Sequence, residues 1–228
     1  MNLMLAAEAA VADDAGLRVV HEDAAIIVID KPSGLHSVPA KPPGPQDCAE
    51  ARVKAIWPDA LLVHRLDRDT SGLMVFARTR LAQRHLGWQF ERRQVGKLYV
   101  ARVAGRVAEE AGRIDLPLIC DWPNRPRQMV CHLRGKEAVT DWRVMAREAG
   151  ATRLALAPLT GRSHQLRVHC AELGHPILGD PLYGDPTAAP RMQLHAAELA
   201  FRHPEGGAHV RFRSEPPFQD RGPEGAHA

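Results

Sequence analysis

The chain has 228 residues, enough for one large domain, and a domain of that size buries roughly 70% of its unfolded surface without needing staples. Hydrophobic residues make up 45% and charged residues 25%, which excludes a disordered chain, and no apolar run approaches the roughly 18 residues of a membrane helix. Thirty Lys and Arg against 27 Asp and Glu leave a net charge of +3, too small to name a partner, so the placement of charge must decide.

Residues 1–18 are Ala-rich and acidic, lack the basic start of a signal peptide, and read as a frayed lead-in. Ile26–Ile29 read as a short buried β-run, stopped by the turn chemistry of Lys31-Pro32-Ser33-Gly34. The proline-rich 40–47 is a loop, and 48–57 can form a short helix. Two apolar runs, Leu61–Val63 and Leu73–Ala77, predict strands on either side of a polar loop. Thr79 caps a helix expected to reach about Val95, with Leu81, Leu86 and Phe90 as its apolar stripe. The other face of that helix is basic: Arg78, Arg80, Arg84, Arg92, Arg93 and Lys97 against Glu91.

Residues 97–105 are strand-like, 113–144 alternate short strands with turns, and 152–159 alternate as a strand. GRSHQLRVHCAELGHP then reads as a turn entering a helix that Gly174 can close. HVRFR (209–213) is one further strand, and 214–228 reads as a flexible tail. The four cysteines, Cys48, Cys120, Cys131 and Cys170, form no C-x-x-C pair and read as reduced core thiols. The whole is one α+β domain over 19–213.

Two polar clusters carry the chemistry. In HRLDRDTSG (64–72), Asp67 sits between Arg65 and Arg68 and can serve as nucleophile or base, although the spacing also fits a solvated turn of ion pairs. GRSHQLRVH (161–169) gathers Arg162, His164, Gln165, Arg167 and His169, without the i, i+4 His pair of a metal site. No G-x-S-x-G, G-x-x-x-x-G-K-[ST] or G-x-G-x-x-G occurs, so neither metal nor nucleotide cofactor is expected. Tyr99, one of two tyrosines, reads alone as well as a core aromatic as a working group. The basic helix face, with Arg125, Arg127, Arg134 and Lys136, could form a phosphate-binding stripe or simply a solvated face.

Taken in order, DKPSGLHSVP (30–39), HRLDRDTSGLMVFA (64–77), KLYVARVAG (97–105), DLPLICDWPNRPRQ (115–128), GRSHQLRVH and GHPILGDPLYG (174–184) resemble the RluA family of RNA pseudouridine synthases. The resemblance spans Val19 to Phe212. It implies a mixed, mostly antiparallel sheet with flanking helices and a central cleft, in which uridine is isomerised to pseudouridine. It implies that Asp67 is the catalytic carboxylate, that Arg167 pairs with it and that Tyr99 stacks on the target base. Arg65 would reach into the space the flipped base vacates, because a stacked uridine cannot turn over. Arg84, Arg92, Arg93, Arg125 and Arg127 are the expected RNA contacts. The expected partners are stem-loops of 23S rRNA and tRNA, the anticodon stem-loop included, with no cofactor, no metal and no membrane.

Many relatives carry an N-terminal S4 domain. Fewer than twenty residues precede the first matched strand here, so that domain is expected to be absent and the enzyme to be a cytoplasmic monomer. Two other classes compete: a non-catalytic RNA-binding module on the same fold, and a glycosidic hydrolase pairing Asp67 with Asp69.

Overall fold

In the computed structural model, which describes residues 16–218, strands β2 (Ile26–Lys31) and β4 (Ser71–Ala77) are buried at nearly every position. Alternate side chains explain this, because both faces of the pair are covered. Ile26, Val28, Leu73, Val75 and Ala77 pack under helix α2 (Arg80–Glu91), while Ile27, Ile29, Met74 and Phe76 pack under α1 (Ala49–Ile56). The remaining strands are β1 (Arg18–Glu22), β3 (Leu61–Leu62), β5 (Gly96–Ala104), β6 (Ala111–Asp115), β7 (Leu118–Cys120), β8 (Gln128–Val130), β9 (Val139–Glu148), β10 (Ala151–Pro158), β11 (Leu194–Arg202) and β12 (His209–Arg213). A third helix, α3 (Gln165–Glu172), precedes β11.

Ten strands form one mixed sheet in the order β1-β2-β4-β11-β5-β10-β9-β6, with β12 added to β11 and β3 to β4. Only the short β4–β11 contact is parallel, at Ser71–His195 and Gly72–Ala196. A second core, of Ala101, Val103, Leu154, Leu156, Leu166 and Cys170, lies between β5, β10 and α3. β7 and β8 stand apart as a two-stranded sheet.

Several expectations need correction. α2 stops at Glu91 because Arg93 takes a left-handed conformation (φ 58°). With Thr79 as the cap, the inward positions are Ala82, Leu86 and Gln89, and Leu81 faces out at 66% exposure. Gln89 is buried because its amide pairs both ways with the Arg202 backbone, at 2.8 Å each. The central strand β11 has no counterpart in the sequence reading: its alanines carry little β signal, and neighbours on both edges impose the conformation.

Most of the expected lead-in and tail lies outside the described residues. The inner ends of both are packed: Leu17 is buried beside Ile27 and Ile29, β1 already begins at Arg18, and Ser214 and Phe218 are buried. Cys48 and Cys170 are core thiols as read, but Cys120 and Cys131 are half-buried, because the small β7–β8 sheet has little to cover it.

Candidate active site

The loop between β3 and β4 carries Asp67 and is riveted from the Lys31–Ser37 turn. Lys31, fully buried, donates to the carbonyls of Pro32, Leu35 and Arg68 at 2.9, 2.7 and 2.9 Å. Burial pushes its ammonium down to about 7, against the pull of the Asp69 and Asp67 carboxylates. Ser33 Oγ donates to the Asp69 carbonyl at 2.7 Å, and Ser37 Oγ both donates to the Leu66 carbonyl and accepts its N–H. His64 closes the other end: its Nε2 accepts the Val75 N–H at 3.1 Å and its ring stacks on Phe90. Burial pushes the His64 imidazole down to about 3, so it stays neutral and structural.

Arg167 projects from the first turns of α3 toward this loop. Its Nε and Nη2 make a bidentate bond to Asp180, both at 2.7 Å, and its Nη1 lies 3.6 Å from Asp67 Oδ2. One buried guanidinium is thus held in a fixed plane by one carboxylate and presented to another. Burial works against both charges of the Arg167–Asp180 pair. The pairing itself, with the Leu182 and Tyr183 N–H groups on Asp180, wins and holds the Asp180 carboxyl below the usual carboxylate range. Arg167 is raised despite its burial by Asp180 and Asp67. The sequence reading missed Asp180, although it lies in the quoted GHPILGDPLYG; an Asp before Pro reads first as a turn residue.

Tyr99 comes up from β5, paired in register with Leu156 and Ala196, and lines the same depressions as Asp67. Burial, then the Asp67 carboxylate, raise its phenol far above the ordinary tyrosine value, so the ring stays neutral and keeps its proton. Its hydroxyl has no hydrogen-bond partner among the described residues. His164 stands at the mouth of α3 in a left-handed conformation (φ 54°), its Nδ1 2.8 Å from the Tyr183 hydroxyl. Burial lowers its pKa.

Asp67, Tyr99 and Arg167 are therefore brought together around two adjoining depressions of about 110 and 380 Å³, both lined by Arg65, Lys97 and Arg162 as well. A neutral ring beside an anchored carboxylate, with a cationic rim, can hold a planar base next to a negative group. Asp69 does not share this space. It pairs with Arg68 at 2.9 Å and lines a larger cavity on the other side of the loop, which removes the second acid a hydrolase needs.

Of the other expected contacts, Arg65 is exposed at the rim and Arg84 is exposed on α2. Arg92 lies over the Trp88 ring and keeps its charge, while Arg93 is paired with Glu137 at 2.5 Å, which neutralises that part of the basic surface at the end of α2. Arg125 covers Trp122. Arg127 turns inward, donating to the Leu182 carbonyl and lying over Tyr183.

The family model for RNA pseudouridylate synthases matches residues 25–172. The dual-specificity RNA pseudouridine synthase RluA of Yersinia pestis is 51% identical over 204 residues, 88% of this chain and 99% of that protein. The protein of the same name from Escherichia coli strain K12 is 48% identical over 206 residues, 89% of this chain and 94% of its own. Among solved structures, human RNA pseudouridylate synthase domain containing 1 superimposes with a TM-score of 0.77 at 27% identity, covering 91% of this chain and 86% of its own. No helix among the described residues is long and apolar enough to cross a membrane. With Asp67, Arg167 and Tyr99 gathered on the matched stretch, the chain belongs to the RNA pseudouridylate synthase family, in its RluA branch, and is an isomerase that makes pseudouridine in RNA.

Proposed function

We propose that Asp67 is the catalytic carboxylate, that Arg167 keeps it placed, that Tyr99 stacks on the base and that Arg65 enters the space the base leaves. The substrates are uridines in stem-loops of 23S rRNA and of tRNA, the anticodon stem-loop included. The enzyme works as a cytoplasmic monomer. The observation that carries the reading is the 3.6 Å approach of Arg167, itself locked by Asp180, to Asp67 beside Tyr99. The dual range is supported by the names of relatives about 50% identical.

The reaction balances without a cofactor. The N1–C1′ bond breaks, the base turns, a C5–C1′ bond forms, C5 gives up its proton and N1 gains one. Uridine tritiated at C5 therefore releases its label. On tritiated anticodon and 23S stem-loop transcripts, Asp67→Asn should release no tritium while still binding RNA, since the amide keeps size and loses charge. Turnover within tenfold of wild type would overturn the assignment, and release from only one transcript would restrict the substrate range.

A further inference from the structure

The β7–β8 arm stands off the main sheet and has no part in the catalytic pocket, yet it carries large exposed apolar groups. Trp122 is 63% exposed and Leu133 95% exposed. The Arg125 guanidinium lies 3.7 Å from the Trp122 ring centroid, a stacking distance. Residues 117–136 hold four cations, Arg125, Arg127, Arg134 and Lys136, against one carboxylate, Asp121, which accepts from the Asn124 side chain. Arg125, Arg134 and Lys136 form no ion pair among the described residues. Two structural features are thus combined: an indole held flat by a cation, and an excess of positive charge along the arm. A polyanion made of planar rings satisfies both at once.

The arm is also tied to the elements that flank Arg167. The Gln128 N–H donates to the Tyr183 hydroxyl at 2.6 Å, and that hydroxyl meets His164 Nδ1 at 2.8 Å. Leu118 and Val130 pack with Val168, the neighbour of Arg167 on α3. Leu118 and Trp122 are four residues apart, at most about 14 Å of chain. Whatever the indole holds therefore sits close to the target nucleotide.

We infer that Trp122, backed by Arg125, is a stacking platform for an unpaired nucleobase of the substrate loop, outside the pocket that takes the target uridine. This rests on the reading of the chain as an enzyme acting on RNA stem-loops. It adds a specificity element: the arm reads a second splayed base by its ring face, and Arg134 and Lys136, toward the other end of the hairpin where Lys136 pairs with Leu118, meet phosphates farther along the RNA.

The test is binding of the full chain to a fluorescent anticodon stem-loop, beside a fully paired duplex of equal length. Trp122→Ala should weaken stem-loop binding about fivefold to a hundredfold, the worth of one base–aromatic stack. Trp122→Phe should recover most of it, and duplex binding should not change. The slope of log affinity against log salt should be the same for both Trp122 variants as for wild type, whereas Arg134→Gln with Lys136→Gln should flatten it. Since the indole is exposed, denaturation midpoints serve as the folding control. Trp122→Ala binding within twofold of wild type, or equal losses on stem-loop and duplex, would overturn the platform. Binding is read apart from turnover, so a wild type that holds the loop through Trp122 yet releases no tritium would sink the catalytic assignment and still support the platform.

Discussion

At the residue scale, the decisive feature is that Arg167 is shared between two carboxylates of unequal burial. Asp180 is fully buried and takes the bidentate bond, while Asp67 is open to the cavity and takes the longer contact. The first carboxylate holds the guanidinium in place, and the second can move without releasing it. Removing one member of a buried pair leaves the other charge uncompensated, at a cost of about 3–5 kcal/mol. Asp180→Ala should therefore unfold at lower urea by that amount and lose activity, although Asp180 is fully buried. The pH sign follows from its depressed carboxyl. The stability it contributes is complete above the unfolded value of 3.8 and is lost as pH falls through the lower folded value. Wild type should thus lose this stability only in strong acid, and Asp180→Asn should lack that part of the acid transition. A urea midpoint for Asp180→Ala within 1 kcal/mol of wild type, on the order of an exposed pair, would refute the account.

At the element scale, the loop that carries Asp67 depends on one strand crossing. β4 runs parallel to β11 for only two residue pairs, and Gly72 sits at that contact with φ +113°. A Cβ there would lie 2.4 Å from the Ala196 carbonyl oxygen, a backbone atom that cannot step aside. Gly72→Ala combines a backbone conformation disfavoured by L side chains with this clash. It should cost about 2 kcal/mol or more and displace the loop that bears Asp67, five residues earlier in the chain. Thermal unfolding together with tritium release checks this. A variant of wild-type stability would mean that β11 yields at Ala196. The helices follow the same logic: Thr79 caps α2 by accepting the Ala82 N–H, so the helix start was readable, while its end was set by the left-handed turn at Arg93.

At the scale of the whole molecule, the question is how a chain of net charge +3 holds RNA. Charge count alone is a poor guide, because many of its arginines are spent internally. Arg93 pairs with Glu137, Arg78 with Glu22 and Asp59, and Arg113 with Asp141. Exposed arginines without a carboxylate contact among the described residues, such as Arg84 and Arg92, are the ones free to displace counterions. Each phosphate contact to a single strand contributes about 0.7 to the log–log salt slope. Arg84→Gln with Arg92→Gln should therefore reduce the slope for a stem-loop by about 1.4, and Arg93→Gln should reduce it less, since Glu137 already offsets that charge. An unchanged slope in the double variant would move the RNA path away from α2.

Local chemistry determined much of this before any fold was known. Apolar runs fixed β2 and β4, Thr79 fixed the start of α2, and the dense HRLDRDTSG and GRSHQLRVH clusters marked the two sides of the site, because turn residues and polar clusters act over a few positions. The sequence could not show that Asp180 anchors Arg167, since the partners are 13 residues apart and meet only through the turn after α3. Nor could it show that Ala-rich β11 is the central strand, or that Ser214 and Phe218 are packed. Pairing along a sheet edge and burial against distant strands are long-range, so side-chain pattern gives little sign of them. The same holds for Arg93 and Arg127: each reads as a free basic residue, and only the tertiary structure assigns its charge to Glu137 in one case and to the Leu182 carbonyl in the other.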